Sequence, residues 1–157
     1  MKKALLILVA VIGFGICVNA QVRITFYAFG PGFWGVVGSG AVAKKDTGHA
    51  SFELEGYGMY GFGPASDNWF GGPGRVSEDS RYRSQATLTF TTTLTSAQAS
   101  AVRRVADQWR SNPPTYNLGS TDCVSFVMRI ADTAGLKYHH TTTQSPRAFV
   151  QTLQHNN

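Results

Sequence analysis

The stretch HASFELEGYGMYGF, residues 49–62, decides how the sheet of this chain is built. Its first half, residues 49–55, alternates polar and apolar side chains, with His49 on the polar side. A period of two is typical of a strand that buries one face. Gly56 then interrupts the pattern, and residues 57–62 are again apolar and aromatic. The stretch therefore predicts an antiparallel hairpin whose first strand begins at His49.

Two further segments have the composition of strands. Residues 22–29 are rich in β-branched and aromatic side chains, and residues 85–94 alternate threonine with apolar residues. Residues 33–43 are interrupted by glycines and are compatible with a strand or with a mobile loop. Residues 61–74 are so rich in glycine and proline that we predict a loop without regular structure, bordering a binding site.

Three helices are expected after the strands. The first is predicted to start at a Thr95–Gln98 capping-box pair and to end before a Pro-Pro dipeptide. The second is predicted from Asp122 to Gly135, where glycine is typical of a C′ position. A short third helix is predicted after Ser145-Pro146. Strands followed by helices predict an α+β domain in which helices cover an antiparallel sheet.

The first twenty residues have the organisation of a cleavable signal peptide. Lys2 and Lys3 precede an uncharged run that is too short to span a bilayer, and a small-residue exit ends at Ala20. We therefore predict that residues 1–20 are removed and that residues 21–157 form a single exported domain, periplasmic or secreted. No integral membrane segment is expected after cleavage. The alternative is a lipoprotein lipidated at Cys17, although Ile16 suits that processing poorly.

The charge of the chain argues against one class of partner. The formal net charge is +5, and the lysines of the signal segment contribute two of these charges. The remaining basic residues are scattered, and no predicted helix or strand combines a basic face with interleaved aromatic residues. We therefore predict no nucleic-acid binding. A mild positive excess is compatible with attraction to an anionic envelope polymer.

Cys123 is the only cysteine that would remain after signal cleavage, so an internal disulfide is excluded. It falls in the first turn of a predicted helix, where the helix dipole favours a thiolate over a thiol. Asp122 opposes this effect unless it points away as an N-cap. The alternative interpretation is that Cys123 is a small apolar residue of the core.

Histidines are candidate bases and candidate metal ligands. The chain has four, of which His139 and His140 are adjacent and His155 lies in the terminal tail. No cysteine or carboxylate spacing near them completes a zinc site, so we predict neither a metal nor a cofactor. His49 differs because it opens a well-marked strand.

The order of these features resembles the permuted branch of the NlpC/P60-like, papain-fold cysteine enzymes. The matching stretches are residues 48–54, residues 57–64, and residues 116–118 ahead of residues 122–127. Lecithin retinol acyltransferase-like proteins share this order. The resemblance covers roughly residues 22–153 and implies a circularly permuted NlpC/P60-like fold, with Cys123 as the nucleophile and His49 as its base.

The sequence departs from the family pattern at two positions. The family often has asparagine before the cysteine, whereas this chain has Asp122. The third residue of the site normally comes from the next strand, and the position that matches it is Tyr60 or a neighbour. A tyrosine can orient His49 by one hydrogen bond but cannot stabilise an imidazolium as a carboxylate does. Glu53 is a substitute, but it lies two strand repeats away and is expected to point elsewhere.

Two functions follow as expectations. The first is an exported cysteine hydrolase that cleaves an amide in peptidoglycan peptides, with the oxyanion held by backbone N–H groups at the start of the cysteine helix. The same dyad would equally serve a lipid-directed acyl hydrolase or acyltransferase. The second is an inactive exported module that binds or inhibits a protein partner, using the aromatic loop around Trp69 and Phe70. Cys123→Ser would abolish the first function and leave the second.

Overall fold

The computed structural model describes residues 20–30, 48–66, 70–139 and 145–157. The predicted signal peptide, with Cys17, lies almost entirely outside the described residues. The segment 33–43, Trp69 and His140 also lie outside them.

In the described residues, six strands form one antiparallel sheet with the order β5-β1-β2-β3-β4-β6. The strands are β1 (Gln21–Phe29), β2 (His49–Leu54), β3 (Gly58–Pro64), β4 (Gly71–Glu78), β5 (Ala86–Thr95) and β6 (Thr115–Asn117). A 3-10 helix, Ser80–Gln85, joins β4 to β5. The predicted hairpin is present as β2 and β3, and the predicted α+β architecture with an antiparallel sheet and helices is confirmed.

Three α-helices follow in the described part of the chain, with ends that agree with the local sequence signals. They are α1 (Ser96–Ser111), α2 (Cys123–Ala134) and α3 (Pro146–Asn156). Thr95 and Gln98 form the expected capping box at the start of α1. Gly135 ends α2 in the left-handed conformation, with a φ angle of 74°. None of the helices in the described part of the chain is long and apolar enough to cross a membrane.

The two faces of the sheet carry different hydrophobic clusters. The face that packs against the helices, called here the helical face, carries the main core, which includes Phe52, Phe62 and Phe126. The opposite face, called here the outer face, carries a small cluster formed by Tyr27, Phe29 and Met59. The 3-10 helix contributes Tyr82 to that cluster. Because side chains alternate along a strand, neighbouring residues of β2 belong to different faces.

The loop predicted over residues 61–74 is wrong in part. Strand β3 continues to Pro64, and β4 already begins at Gly71. Gly74 explains the error, because a Cβ atom there would lie 2.4 Å from both the Phe62 ring and the Pro114 carbonyl oxygen. The glycine is required for close packing inside the sheet rather than for a turn.

Candidate active site

His49 is the first residue of β2 and is almost fully buried, with 1% of its surface exposed. Its ring stacks on Phe29 of β1, with ring centres 5.7 Å apart. Gly48 precedes it with a φ angle of 53°, and a Cβ there would lie 2.5 Å from the Phe29 carbonyl oxygen. Only glycine combines that backbone conformation with so close an approach. The Gly-His pair therefore sets where the imidazole enters the sheet.

Asp79 is the polar partner of the imidazole. The Nε2 atom of His49 lies 2.8 Å from Oδ2 of Asp79, and the two side chains are 1% and 4% exposed. Ser51 donates its hydroxyl hydrogen to the same carboxylate oxygen. The backbone N–H of Asp79 donates to the Met59 carbonyl at 3.0 Å. The carboxylate is thus held in place directly after β4, beside the histidine.

Gly61 provides the space for this polar cluster. It pairs with Ser51 across the β2–β3 ladder. A Cβ at Gly61 would lie 2.1 Å from Oδ2 of Asp79, 2.4 Å from Nε2 of His49 and 2.8 Å from the Ser51 hydroxyl. No side chain larger than hydrogen is compatible with these distances. The absence of a side chain on β3 lets Asp79, which directly follows β4, reach His49 on β2 across β3.

Cys123 is the first residue of α2, and Asp122 is its N-cap. The Asp122 carboxylate accepts hydrogen bonds from the backbone N–H groups of Val124 at 3.0 Å, Ser125 at 3.1 Å and Gly119 at 2.9 Å. The Ser125 hydroxyl accepts from the Asp122 N–H at 2.8 Å, which completes a capping box. The N-terminus of α2 is therefore held firmly, and the position of the thiol with it.

The thiol itself is in an environment that disfavours ionisation. Burial raises the pKa of Cys123 well above its usual range, and the nearby charge of Asp122 raises it further. Backbone N–H groups, that of Ala50 first among them, act in the opposite direction without reversing the shift. The expectation that the helix N-terminus favours a thiolate is thus outweighed by desolvation. At neutral pH the resting group is a protonated thiol, which needs a base before it can attack.

The β2–β3 ladder stops short of the start of β2, and this gap in the pairing, called here the β2–β3 opening, lies next to the Cys123 thiol. The β2–β3 ladder ends at the Ser51–Gly61 pair, although β2 begins at His49 and β3 continues beyond Gly61. The Ala50 N–H, one peptide unit from His49, instead interacts with the Cys123 sulfur. The thiol reaches this opening from the helical face, and the imidazole lies on the outer face. The thiol and the imidazole thus both lie near the end of the β2–β3 ladder, on opposite faces of the sheet.

Tyr60, the predicted third residue, lies elsewhere. It pairs with Phe52 across the hairpin and shares the helical face with it. Its ring contacts Tyr57 at 5.1 Å, and the Arg110 guanidinium lies 4.7 Å from its centre. The structure therefore places Tyr60 on the face opposite the His49 ring, and it places Asp79 against His49.

Glu53 also points away from His49, as expected. It accepts hydrogen bonds from the Tyr27 hydroxyl and from the Arg83 guanidinium. The partner that sequence reasoning missed is Asp79, because β4 was not predicted and no local pattern links residue 79 to residue 49. The one sequence feature related to this partner was Gly61, which pairs with Ser51 in the hairpin and leaves space beside His49.

Neither metal-ligand geometry nor similarity to known proteins assigns a function to these residues. In the described parts of the chain, no group of three His, Cys, Asp or Glu residues is arranged to hold a metal ion. No protein-family model matches the sequence, and comparisons with curated proteins and with solved structures gave no significant match. The assignment of function therefore depends on the chemistry of the residues themselves.

Proposed function

We propose that this chain is an exported cysteine hydrolase with a circularly permuted NlpC/P60-like papain fold. Cys123 is the nucleophile, His49 is the general base, and Asp79 orients the histidine. The observation that carries the proposal is the buried His49–Asp79 pair, at 2.8 Å, beside the β2–β3 opening that the Cys123 thiol also reaches. A base fixed by a carboxylate and a nucleophile at a helix N-terminus are the parts that acyl transfer requires.

The raised pKa of Cys123 makes the base essential to the proposed reaction. The Asp79 carboxylate accepts the Nε2 hydrogen of His49, so Nδ1 is the basic nitrogen of the neutral ring. Because the thiol lies on the helical face and the imidazole on the outer face, Nδ1 takes the proton of the thiol across the end of the β2–β3 ladder as the sulfur attacks the substrate carbonyl carbon. Asp79 stabilises the imidazolium that forms, as a tyrosine at this position could not. The imidazolium then protonates the leaving group, and an acyl-enzyme remains on the sulfur.

The start of α2 offers a donor for the oxyanion. Asp122 occupies the N–H groups of Val124 and Ser125, which leaves the N–H of Cys123 as the first-turn donor outside the cap. An oxyanion formed by attack of the Cys123 sulfur arises next to that N–H group. In the second half of the reaction, His49 removes a proton from water, and the resulting attack on the thioester releases the acid and restores the thiol.

Within this proposal, a peptide amide of the cell wall is the substrate class, and a lipid ester is the competing one. The cell-wall assignment derives from the family resemblance and from the predicted export, while the three residues would serve either bond. The test incubates wild type and Cys123→Ala separately with isolated peptidoglycan peptides and with phospholipid vesicles. New amino groups that depend on Cys123 support an amidase, and fatty acid that depends on Cys123 supports the lipid reaction. The absence of both products would contradict the hydrolase.

A non-catalytic binding module is the second candidate, and the environment of Cys123 favours it. The thiol is buried, and its pKa is raised by burial and by Asp122. Phe70 is 64% exposed near the segment that lies outside the described residues. A binding module keeps its partner affinity in Cys123→Ser and loses it in Phe70→Ser. A hydrolase loses its turnover in the first variant.

A further inference from the structure

Tyr116 is the middle residue of β6 and lies on the same side of the sheet as Cys123. Both side chains belong to the main core on the helical face, and they are 3% and 6% exposed. The Tyr116 ring packs against Phe62, with ring centres 5.7 Å apart. The phenol is therefore a polar group on the sulfur's own side of the sheet.

The turn between β6 and α2 fixes the position of Tyr116 relative to the thiol. Asn117 and Thr121 form an antiparallel bridge and exchange two backbone hydrogen bonds, of 2.9 Å and 2.8 Å. One residue further in this register, Tyr116 is opposite Asp122, the N-cap of α2. The bridge thus holds the tyrosine beside the start of the helix, where Cys123 is the first residue.

The Tyr116 hydroxyl makes no hydrogen bond to any residue in the part of the chain that the structure describes. A buried tyrosine hydroxyl usually has such a partner. Burial raises the pKa of Tyr116, and the nearby charges of an ionised Cys123 and of Asp122 raise it further. The hydroxyl is therefore near both groups, and at neutral pH it carries a proton that it can donate in a hydrogen bond.

We propose that Tyr116 is a further catalytic residue, whose hydroxyl donates a hydrogen bond to the oxyanion that forms on the substrate carbonyl when Cys123 attacks. The inference rests on the proposed function. The first turn of α2 supplies one donor to this oxygen, the N–H of Cys123, and Tyr116 supplies a second. As the sulfur–carbon bond forms, the electron pair of the C=O double bond moves to the oxygen, and the two donors stabilise its charge. The phenolic proton stays on Tyr116, and proton transfer remains the role of His49.

The test compares two reactions of the same thiol. p-Nitrophenyl acetate acylates Cys123 through a tetrahedral oxyanion, whereas iodoacetamide alkylates it by displacing iodide and forms no oxyanion. Both rates are measured at the same pH, by mass spectrometry of the Cys123 peptide, in wild type, Tyr116→Phe and Tyr57→Phe. Tyr57 lies in the hairpin turn and its hydroxyl bonds to Asp107, so Tyr57→Phe is a matched loss of a hydroxyl away from the thiol.

We expect Tyr116→Phe to slow acetylation of Cys123 about 100-fold and to leave its alkylation unchanged, because one oxyanion donor is lost. Tyr57→Phe should change neither rate. An equal loss of both reactions in Tyr116→Phe would mean that the hydroxyl only supports the packing of the thiol, and acetylation at the wild-type rate would mean that it is not used. Either result would overturn the role of Tyr116 and leave the hydrolase standing. Absence of acetylation in wild type would refute the proposed hydrolase, and the role of Tyr116 with it.

Discussion

The Nε2 atom of His49 lies 2.8 Å from Oδ2 of Asp79, and both side chains are almost completely buried. Polar groups buried to this extent are costly unless they are paired, and here Ser51 adds a third member to the pair. A fold that needed only a filled core would be served as well by apolar residues. We therefore interpret the cluster as a device that fixes the tautomer and the orientation of the imidazole.

Asp79→Asn tests this role directly. Asparagine keeps the shape and can accept from His49, but it cannot stabilise the imidazolium formed during attack. We expect p-nitrophenol release from p-nitrophenyl acetate by Cys123 to fall about 10²–10⁴-fold, the range of general-base contributions. Asp107→Asn, an exposed replacement on α1, serves as the control and should leave the rate unchanged. An Asp79→Asn variant with the wild-type rate would exclude an orienting carboxylate.

Gly61→Ala should damage both the fold and the site, because the new Cβ would overlap Asp79 and His49. Overpacking of this kind destabilises a protein by about 1–3 kcal/mol. Gly71→Ala is the matched control on a neighbouring strand, since its Cβ would meet only the Tyr116 carbonyl oxygen at an ordinary 3.5 Å. Urea denaturation measures both variants. A loss of stability in Gly71→Ala as large as that in Gly61→Ala would contradict the crowding described at Gly61.

The raised pKa of Cys123 predicts a specific dependence of stability on pH. The native state holds the thiol proton more tightly than the unfolded chain, whose cysteine has an ordinary pKa of about 9.0. This contribution to stability is fully present below that pH and declines as the pH rises above it, by at most about 1.4 kcal/mol per pH unit. We expect wild type to lose stability between pH 8.5 and 10 more steeply than Cys123→Ala in urea titrations. Parallel profiles would show that the native pKa of the thiol is not raised.

Asp122→Asn separates the capping role of this residue from its charge. Asparagine caps helices about as well as aspartate, so α2 should persist. The negative charge that helps to raise the pKa of Cys123 is removed. We therefore expect iodoacetamide to alkylate Cys123 several-fold faster at pH 8 than in wild type. Asp132→Asn, near the other end of α2, makes the same charge change about 14 Å away along the helix. If both variants react alike, Asp122 does not act on the thiol through its charge.

Local signals in the sequence were sufficient for the parts of the fold that local chemistry determines. The alternation after His49 predicted the hairpin, and the Thr95–Gln98 pair and Gly135 marked helix ends that the structure contains. These features depend on neighbours a few residues away, so they are readable without the tertiary structure.

The rest depends on residues that are distant in the sequence. Strand β4 was not predicted because its Gly74 packs against the Phe62 ring and the Pro114 carbonyl, contacts that no local pattern reveals. Asp79 could not be assigned to His49 without β4. The pKa of Cys123 is set mainly by burial, whereas the sequence shows only its helix position. Tertiary contacts thus decide the third residue of the proposed site and the resting charge of its proposed nucleophile.

The most direct test of the proposed hydrolase is whether Cys123 becomes acylated with His49 as its base. Wild type, Cys123→Ala and His49→Gln would each be mixed with p-nitrophenyl acetate at pH 7, quenched in acid and mapped by peptide mass spectrometry. We predict an acetyl group on Cys123 in wild type, none at this position in Cys123→Ala, and acetylation at least about 100-fold slower in His49→Gln. An unmodified Cys123 in wild type, or equally fast acetylation of Cys123 without His49, would contradict the proposed hydrolase.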